Sequence, residues 1–227
     1  MYESFNDLDT INKQRFVEWF SGNALNTDRW GIRTGSGSNF TATMADSVDG
    51  GLVLNSPAEA SSSGCIAFNA DGTGNVSPMS VRPFSHTGSA IIIVAKFDPY
   101  TDFNNGDGAF IGFAQDANLS AGGNNTLMVG VKGNESKFIL QTTNGSGSQT
   151  RQWQSPMVTA DTNYHVWKLE NFMDGATQKA RMYMDGTLIH TTTSTLPAGK
   201  MGILANAGSD GSNVGQVSIR YIEAYNT

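Results

Sequence analysis

Short runs in which hydrophobic and polar residues alternate are the dominant pattern of this chain. In the clearest, residues 164–170, His165, Trp167 and Leu169 fall on one side and the residues between them on the other. A period of two is typical of a β-strand with one buried face. The pattern therefore predicts a strand that places Trp167 in the core and makes His165 a structural, hydrogen-bonded histidine.

A tight hairpin is predicted downstream of this strand. Two β-prone runs, residues 179–184 and 187–193, flank the dipeptide Asp185-Gly186. Asp-Gly favours a type I′ turn because both residues tolerate positive φ. These residues are therefore expected to start an antiparallel sheet.

The rest of the chain repeats this arrangement of short strands and Gly/Asn/Asp-rich turns. Residues 90–97 form the most apolar run, which predicts a strand covered on both faces. Residues 76–88 and 115–125 are predicted to be irregular, and no segment shows a helical period or an internal repeat. The fold class predicted is all-β, a two-sheet antiparallel β-sandwich of the jelly-roll kind. The predicted strands are 15–20, 29–33, 39–44, 52–54, 65–68, 90–97, 109–114, 127–132, 137–143, 150–154, 164–170, 179–184, 187–193, 201–205 and 216–225.

Composition supports one compact domain preceded by an arm. The 227 residues include 26 Gly and only 15% charged residues, which suits short strands joined by turns. Residues 1–14 are polar and weakly patterned, so we predict an N-terminal arm followed by a single domain over residues 15–227. The apolar residues of the arm, Met1, Tyr2 and Phe5, are predicted to contact a second copy of the chain or another surface protein.

Charge and hydropathy limit the partners and the location. A net charge of −6 offers no basic excess for phosphates, so nucleic acid is not an expected partner. Acidic residues interrupt the start of the chain, and no stretch approaches the ~18 apolar residues of a membrane span. We therefore expect a protein made in the cytoplasm without a signal peptide, not inserted into membranes, and located on a virion or at the extracellular surface.

Two parts of the chain resemble a known superfamily. Residues 19–30, from Trp-Phe-Ser-Gly to Arg-Trp, resemble the first strand and corner of concanavalin A-like lectin/glucanase jelly rolls. The order of residues 165–168, 183–186, 202–204 and 219–225 resembles their laminin-G-like second half. The resemblance covers most of the chain and implies two curved sheets, often with a glycan-related role.

The catalytic motif of the glucanases in this superfamily is absent. That motif, Glu-x-Asp-x-x-Glu or Glu-x-Asp-x-Glu, puts alternate carboxylates on one face of a strand, where two can flank a glycosidic bond. None of the six glutamates here has an aspartate two residues further on. The motif analysis therefore predicts that the chain is not an enzyme.

A polysaccharide lyase would need a different set of residues. It requires a Tyr or His proton acceptor beside an Arg or Gln. Arg151, Arg181, Tyr183 and His190 are the candidates, but no motif places them together. His190 also lies on a strand pattern, which favours a structural, hydrogen-bonded histidine.

The most site-like stretch surrounds Trp153. An exposed Trp beside planar polar side chains can stack on a sugar ring while its neighbours bond the hydroxyl groups. Arg151, Trp153 and Gln154 are therefore the predicted glycan-binding residues. The alternative is that Trp153 packs under the loop at residues 144–148.

No cofactor is predicted. Cys65 is the only cysteine, which excludes an intrachain disulfide, and its place in a strand pattern predicts a buried, inert thiol. Residues 69–73 and 102–108 are rich in oxygen ligands, so structural calcium is conceivable there. Neither segment matches the twelve-residue calcium loop, and ordinary turns explain both.

Together these features favour a non-catalytic structural surface protein, most concretely a phage virion decoration or appendage protein with a lectin-like jelly roll. Such proteins fold in the cytoplasm and need neither a signal peptide nor a disulfide. The alternative is a carbohydrate-binding, lectin-like module, and a polysaccharide-degrading enzyme is third. The expected partners are further copies of the chain, other virion or surface proteins, and glycans.

Overall fold

The computed structural model describes residues 15–35, 38–45, 50–58, 63–68, 76–78, 82–98, 108–118, 125–132, 137–145, 149–152, 158–209 and 214–227. Within these ranges the chain forms 17 β-strands and no helix. In chain order the strands are β1 Arg15–Trp19, β2 Trp30–Thr34, β3 Thr41–Met44, β4 Leu52–Ser56, β5 Ser63–Phe68, β6 Val76–Pro78, β7 Gly88–Phe97, β8 Gly108–Ala114, β9 Asp116–Asn118, β10 Leu127–Lys132, β11 Phe138–Thr143, β12 Gln149–Gln152, β13 His165–Asp174, β14 Thr177–Met184, β15 Thr187–Thr192, β16 Gly202–Gly208 and β17 Gly215–Asn226.

Most of the strands belong to two antiparallel sheets that pack face to face. The eight-stranded sheet has the order β15-β14-β13-β7-β17-β4-β3, and β1 also pairs with β17. The seven-stranded sheet has the order β12-β11-β10-β8-β16-β5-β2, and β6 pairs with β9 in a small separate ribbon. This arrangement confirms the predicted all-β sandwich.

Aromatic side chains from both sheets meet in the core between them. Trp167 of β13 is fully buried, and its ring lies 4.6 Å from that of Phe138 and 6.2 Å from that of Phe97. Near the other end of the core, Trp30 packs against Phe16 with ring centroids 5.8 Å apart. Burying one such side chain stabilises the fold by about 1.5–3 kcal/mol. The prediction that Trp167 faces the core is confirmed.

The strands around residue 185 form two successive hairpins. Asp185 and Gly186 have φ values of 51° and 81°, so the predicted turn with two positive-φ residues is confirmed. A second tight turn, with Gly175 at φ 62°, joins β13 to β14 and extends β13 to Asp174. The pattern of residues 164–170 did not reveal this extension.

The apolar strand β7 differs from its prediction. Ile91, Ile93 and Ala95 are fully buried, whereas Ile92 and Val94 are only partly covered. The prediction that both faces are covered is therefore wrong. An antiparallel sheet packs one face on the core and can leave the other in solvent, and β7 lies in such a sheet.

Two segments predicted to be irregular contain short strands. Residues 76–78 form β6 and residues 116–118 form β9, and these two strands pair with each other. Pro78 lies in β6, for which β9 is the one partner among the described strands. Proline is tolerated there because it is confined to strands that are not fully paired.

Several predictions concern residues outside the described ranges. These include the arm at residues 1–14 with Met1, Tyr2 and Phe5, as well as the calcium candidates at 69–73 and most of 102–108. The boundary between arm and domain stays a prediction. None of the described residues forms a helix long and apolar enough to cross a membrane.

Candidate glycan-binding surfaces

The outer face of the seven-stranded sheet, on the side away from the core, is apolar and buried. No strand of this sheet carries an Asp or a Glu, so the sheet does not present the carboxylate pair of the glucanase motif. We call its side chains the outer apolar cluster: Cys65, Ala67, Phe110, Ala114, Met128, Ile139 and Leu204.

Polar groups on this face are tied into the structure. The Oδ1 atom of Asn206 accepts a hydrogen bond of 3.2 Å from the backbone N–H of Phe110. Arg33 is buried and pairs across the strands with Cys65. Burial raises the pKa of the Cys65 thiol to about 12, although the charge of Arg33 opposes this shift. The prediction of a buried, inert thiol is confirmed.

One of the predicted glycan residues lies at the edge of the same sheet. Arg151 belongs to β12, which ends the sheet, and it is the cross-strand partner of the buried Gln141 in β11. Trp153 and Gln154 follow β12 and lie outside the described residues. A glycan-binding role for Arg151, Trp153 and Gln154 therefore stays a prediction.

Only two of the candidate lyase residues, Arg181 and Tyr183, share a strand face. Arg181 and Tyr183 alternate along β14 with the buried Met182, and His190 is the cross-strand partner of Met182. Arg151 lies in the other sheet. Burial lowers the pKa of His190, and its Nε2 atom has no hydrogen-bond partner in the described chain, so the predicted hydrogen bond is not made by this nitrogen.

His165 joins two carboxylates in a cluster that we call the Asp-His-Asp clamp. Its Nδ1 atom lies 2.7 Å from Oδ2 of Asp185, and its Nε2 atom lies 2.9 Å from Oδ1 of Asp161. The Oδ1 atom of Asp185 also accepts a 2.9 Å hydrogen bond from the N–H of Val166. The prediction of a structural, hydrogen-bonded histidine is confirmed for His165.

The clamp is not a metal centre. Among the described residues, no group of three or more His, Cys, Asp or Glu side chains could hold a metal ion. Each carboxylate of the clamp already accepts hydrogen bonds from the backbone or from His165.

The outer face of the eight-stranded sheet carries a row of aromatic and aliphatic side chains. Trp19 pairs with Tyr221, Tyr221 with Val94, and Val94 with Val166, so the row crosses β1, β17, β7 and β13 in register. Trp19 is 65% exposed and Val166 is 45% exposed. The rings of Trp19 and Tyr221 have centroids 4.3 Å apart and are tilted by 47°. We call this set the Trp19–Val166 row.

Polar and cationic groups flank this row. Glu223 accepts a 2.9 Å hydrogen bond from Nε of Arg15 and a 2.7 Å hydrogen bond from the hydroxyl group of Tyr221. On the other flank, the Arg220 guanidinium lies 3.7 Å and the Lys96 ammonium 5.1 Å from the ring centroid of Tyr164.

Sequence patterns did not reveal the row because its members come from four distant segments. A period of two in residues 221–225 marks Tyr221, Glu223 and Tyr225 as one face of a strand. Nothing in that period shows that Trp19 lies beside Tyr221.

Comparison by sequence gives no relative: no protein-family model matches the chain, and no curated protein sequence matches it. Solved structures identify the fold. The chain superposes on the β-glucanase of Bacillus licheniformis with a TM-score of 0.54 and 16% identity, covering 94% of this chain and 98% of that one. For the carbohydrate recognition domain of Emp47p the TM-score is 0.58 and the identity 12%, over 96% of this chain and 98% of that one. An endo-β-galactosidase from Clostridium perfringens that releases GlcNAcα1-4Gal superposes with a TM-score of 0.59 and 14% identity. The match covers 97% of this chain and 64% of that one.

The class of the fold is therefore an antiparallel jelly roll. More particularly, it is the jelly roll that the β-glucanase and the carbohydrate recognition domain have, which confirms the fold implied by the resemblance to concanavalin A-like proteins.

These comparisons correct the functional expectation. Glycoside hydrolases predominate among the similar structures, including glucanases from several sources, and nothing among them indicates a phage virion protein. They contradict the expectation of a non-catalytic virion decoration or appendage protein. They also contradict the expectation that the chain is not an enzyme, which was based on the absence of one glutamate motif.

Proposed function

We propose that this protein acts on polysaccharides, with recognition of a glycan chain as its first activity and cleavage of that chain as the second candidate. The observation that carries the proposal is the fold match over nearly the whole chain. The matched proteins include glucanases, an endo-β-galactosidase and a carbohydrate recognition domain. What they share is a glycan as ligand or substrate.

The glycan-binding site of this proposal lies at the β12 edge of the seven-stranded sheet. The middle of the outer face is filled by the outer apolar cluster, which offers no polar groups to fix a sugar. At the edge, Arg151 provides a charged donor in β12, and Trp153 and Gln154 follow in the sequence. An aromatic ring with a few polar neighbours is the usual composition of a sugar site.

Cleavage is favoured by the predominance of glycoside hydrolases among the similar structures. Hydrolysis needs two carboxyl groups, about 5–5.5 Å apart for retention or about 6.5–9.5 Å apart for inversion. The strands of the seven-stranded sheet carry no acid, so the pair would come from connecting segments. Asp116, two residues after the central strand β8, is one candidate acid, and its Oδ1 atom lies 3.2 Å from an Nη atom of Arg82.

The test of binding uses native gels that contain mixed-linkage β-glucan, laminarin or galactan. We expect one of these polymers to retard the full chain, and Trp153→Ala or Arg151→Ala to weaken the apparent affinity about tenfold, which corresponds to about 1.4 kcal/mol. Lys200→Ala is the control for removal of a positive charge, and Lys200 is exposed. If the polymer retards Arg151→Ala and Trp153→Ala as strongly as the wild type, the binding site lies elsewhere on the protein.

The test of cleavage measures reducing ends released from the same polymers. We expect release by the wild-type chain, with loss of activity in Asp116→Asn. Absence of both retardation and reducing ends with every polymer would contradict the proposed function as a whole.

A further inference from the structure

The Trp19–Val166 row is a continuous apolar band on the outer face of the eight-stranded sheet. Its four members lie on adjacent strands in direct cross-strand register. Since adjacent strands are about 4.8 Å apart, the band is about 14 Å long. An exposed Trp at one end and an exposed Val at the other keep the band open to solvent. Contiguous exposed apolar surface of this kind usually marks a binding site.

The dimensions of the band favour a narrow ligand. A stable protein–protein interface buries about 800 Å² on each partner. In the next row of the same face, Ile92 lies between Glu223 and Lys168, and these two residues form ion pairs with Arg15 and Glu170. A single extended chain fits along the band, whereas a globular partner would have to desolvate these charges.

The chemistry of the band favours neutral sugar rings. The faces of Trp19 and Tyr221 can stack on the C–H face of a pyranose, while the hydroxyl groups of the sugar point towards the polar border. The carboxylate of Glu223 lies beside the aromatic pair, within hydrogen-bond distance of the Tyr221 hydroxyl. The border carries charges of both signs, with Glu223 paired to Arg15 on one flank and Lys96 and Arg220 stacked on Tyr164 on the other, so the hydroxyl groups of a neutral chain can find acceptors and donors on both sides.

We infer that the Trp19–Val166 row is a second glycan-binding site, on the sheet opposite the β12 edge, for a neutral β-linked polysaccharide chain that lies across the strands. The inference rests on the proposed function, since both sites take glycans. Two sites on opposite faces would let one molecule hold a polymer while its edge site engages another segment. Multivalent attachment of this kind raises the apparent affinity for polymers more than for short oligosaccharides.

The experiment measures binding of barley β-glucan, laminarin and alginate to the full chain by affinity electrophoresis. We expect Trp19→Ala to weaken binding of a neutral β-glucan about tenfold and Trp19→Phe, which keeps a ring, to change it less than about threefold. Ile32→Ala is the control, because Ile32 is an apolar side chain of the other sheet with 44% exposure. Urea unfolding of each variant checks that the fold is retained, and sedimentation velocity reports the oligomeric state.

The outcomes separate this inference from the proposed function. If wild type binds a neutral glucan, and Trp19→Ala binds it as tightly as Ile32→Ala does, the second site is excluded while the proposed function stands. If Trp19→Ala changes only the sedimentation coefficient, the row is a protein contact and the inference is wrong. Preferential binding of alginate through Trp19 would overturn the assignment to neutral chains. If wild type binds no polymer and releases no reducing ends, both the inference and the proposed function fail.

Discussion

Nδ1 of His165 lies 2.7 Å from Oδ2 of Asp185, which couples the first residue of β13 to the turn between β14 and β15. Burial lowers the pKa of His165, but the hydrogen bonds and charges of Asp185 and Asp161 raise it by more. The pKa values of both aspartates are lowered, since hydrogen bonds from the backbone and from His165 outweigh the effect of burial. The clamp is therefore most favourable with His165 protonated and both carboxylates ionised.

Because of this charge state, the contribution of the clamp to the stability of the fold depends on pH. Because the pKa of His165 is raised in the fold, its contribution is complete below about pH 6.5 and is lost as the pH rises through the folded value. The lowered aspartate pKa values stabilise the fold above about pH 4, and this contribution is lost as the pH falls further. We expect the clamp to stabilise the protein most between about pH 4 and about pH 6.5.

The measurement is urea unfolding of the wild type and of the double variant Asp161→Asn/Asp185→Asn between about pH 5 and about pH 8.5. The double variant should lose much of the decline in stability that the wild type shows across this range. Asparagine tolerates positive φ, so the turn is preserved. Asp174→Asn is the control, because Asp174 pairs with Lys179 and not with a histidine. An unchanged pH slope in the double variant would show that the clamp does not titrate in this way.

Trp167 should dominate the stability of the core. Replacement by Ala removes a fully buried ring that contacts Phe97 and Phe138, so it should lower the free energy of unfolding by about 3–5 kcal/mol. Trp167→Phe should cost less, because it keeps a ring and removes an indole N–H that has no hydrogen-bond partner in the described chain. Denaturant unfolding checks both, with the exposed Trp19→Ala as reference. A loss below about 1 kcal/mol for Trp167→Ala would contradict its place in the core.

Cys65 should be unreactive in the folded protein. Burial raises its thiol pKa to about 12, so almost no thiolate exists near neutral pH, and the side chain is inaccessible. Ellman's reagent at about pH 8 should label the thiol only after urea is added. Rapid labelling of the native protein would mean that the outer apolar cluster opens readily.

Glu18 should stabilise the fold and take no part in glycan binding or cleavage. Its Oε2 atom accepts hydrogen bonds of 3.1 Å from Nη1 of Arg29 and 3.3 Å from Nε1 of Trp30. We expect Glu18→Gln to lower the free energy of unfolding by about 1 kcal/mol, since the ion pair is partly exposed and one acceptor is kept. Glycan retardation and reducing-end release should be unchanged. Glu170→Gln is the control for removal of a half-buried, ion-paired glutamate. Selective loss of hydrolysis in Glu18→Gln would instead make Glu18 a catalytic residue.

The sequence predicted features that depend on neighbouring residues. Asp185-Gly186 predicted its turn because the required φ values restrict which residues fit. The alternation around Trp167 predicted its burial because one strand face must meet the core. Each of these signals comes from residues that are only a few positions apart in the sequence.

Features that depend on distant pairing could not be predicted in the same way. The solvent-facing side of β7 looked buried because Ile92 and Val94 are apolar, and only the sheet shows that this face is partly open. The Trp19–Val166 row arises from the pairing of β1 with β17, whose residues are about two hundred positions apart. The functional expectation was wrong for another reason. It was based on the absence of one catalytic motif, and that absence did not show that glycoside hydrolases predominate among proteins with a similar fold.

The position of β17 inside the eight-stranded sheet affects when the sheet can form during synthesis and how fast it can refold. This strand pairs with β7 on one side and with β1 and β4 on the other. Each of these three earlier strands therefore has one edge without its partner until residues 215–226 have left the ribosome. During synthesis these strands therefore keep exposed edges until β17 has been made, and chaperones and aggregation compete in that interval. Refolding from denaturant should be slow for the same reason, because closing the sheet requires contacts across nearly the full sequence.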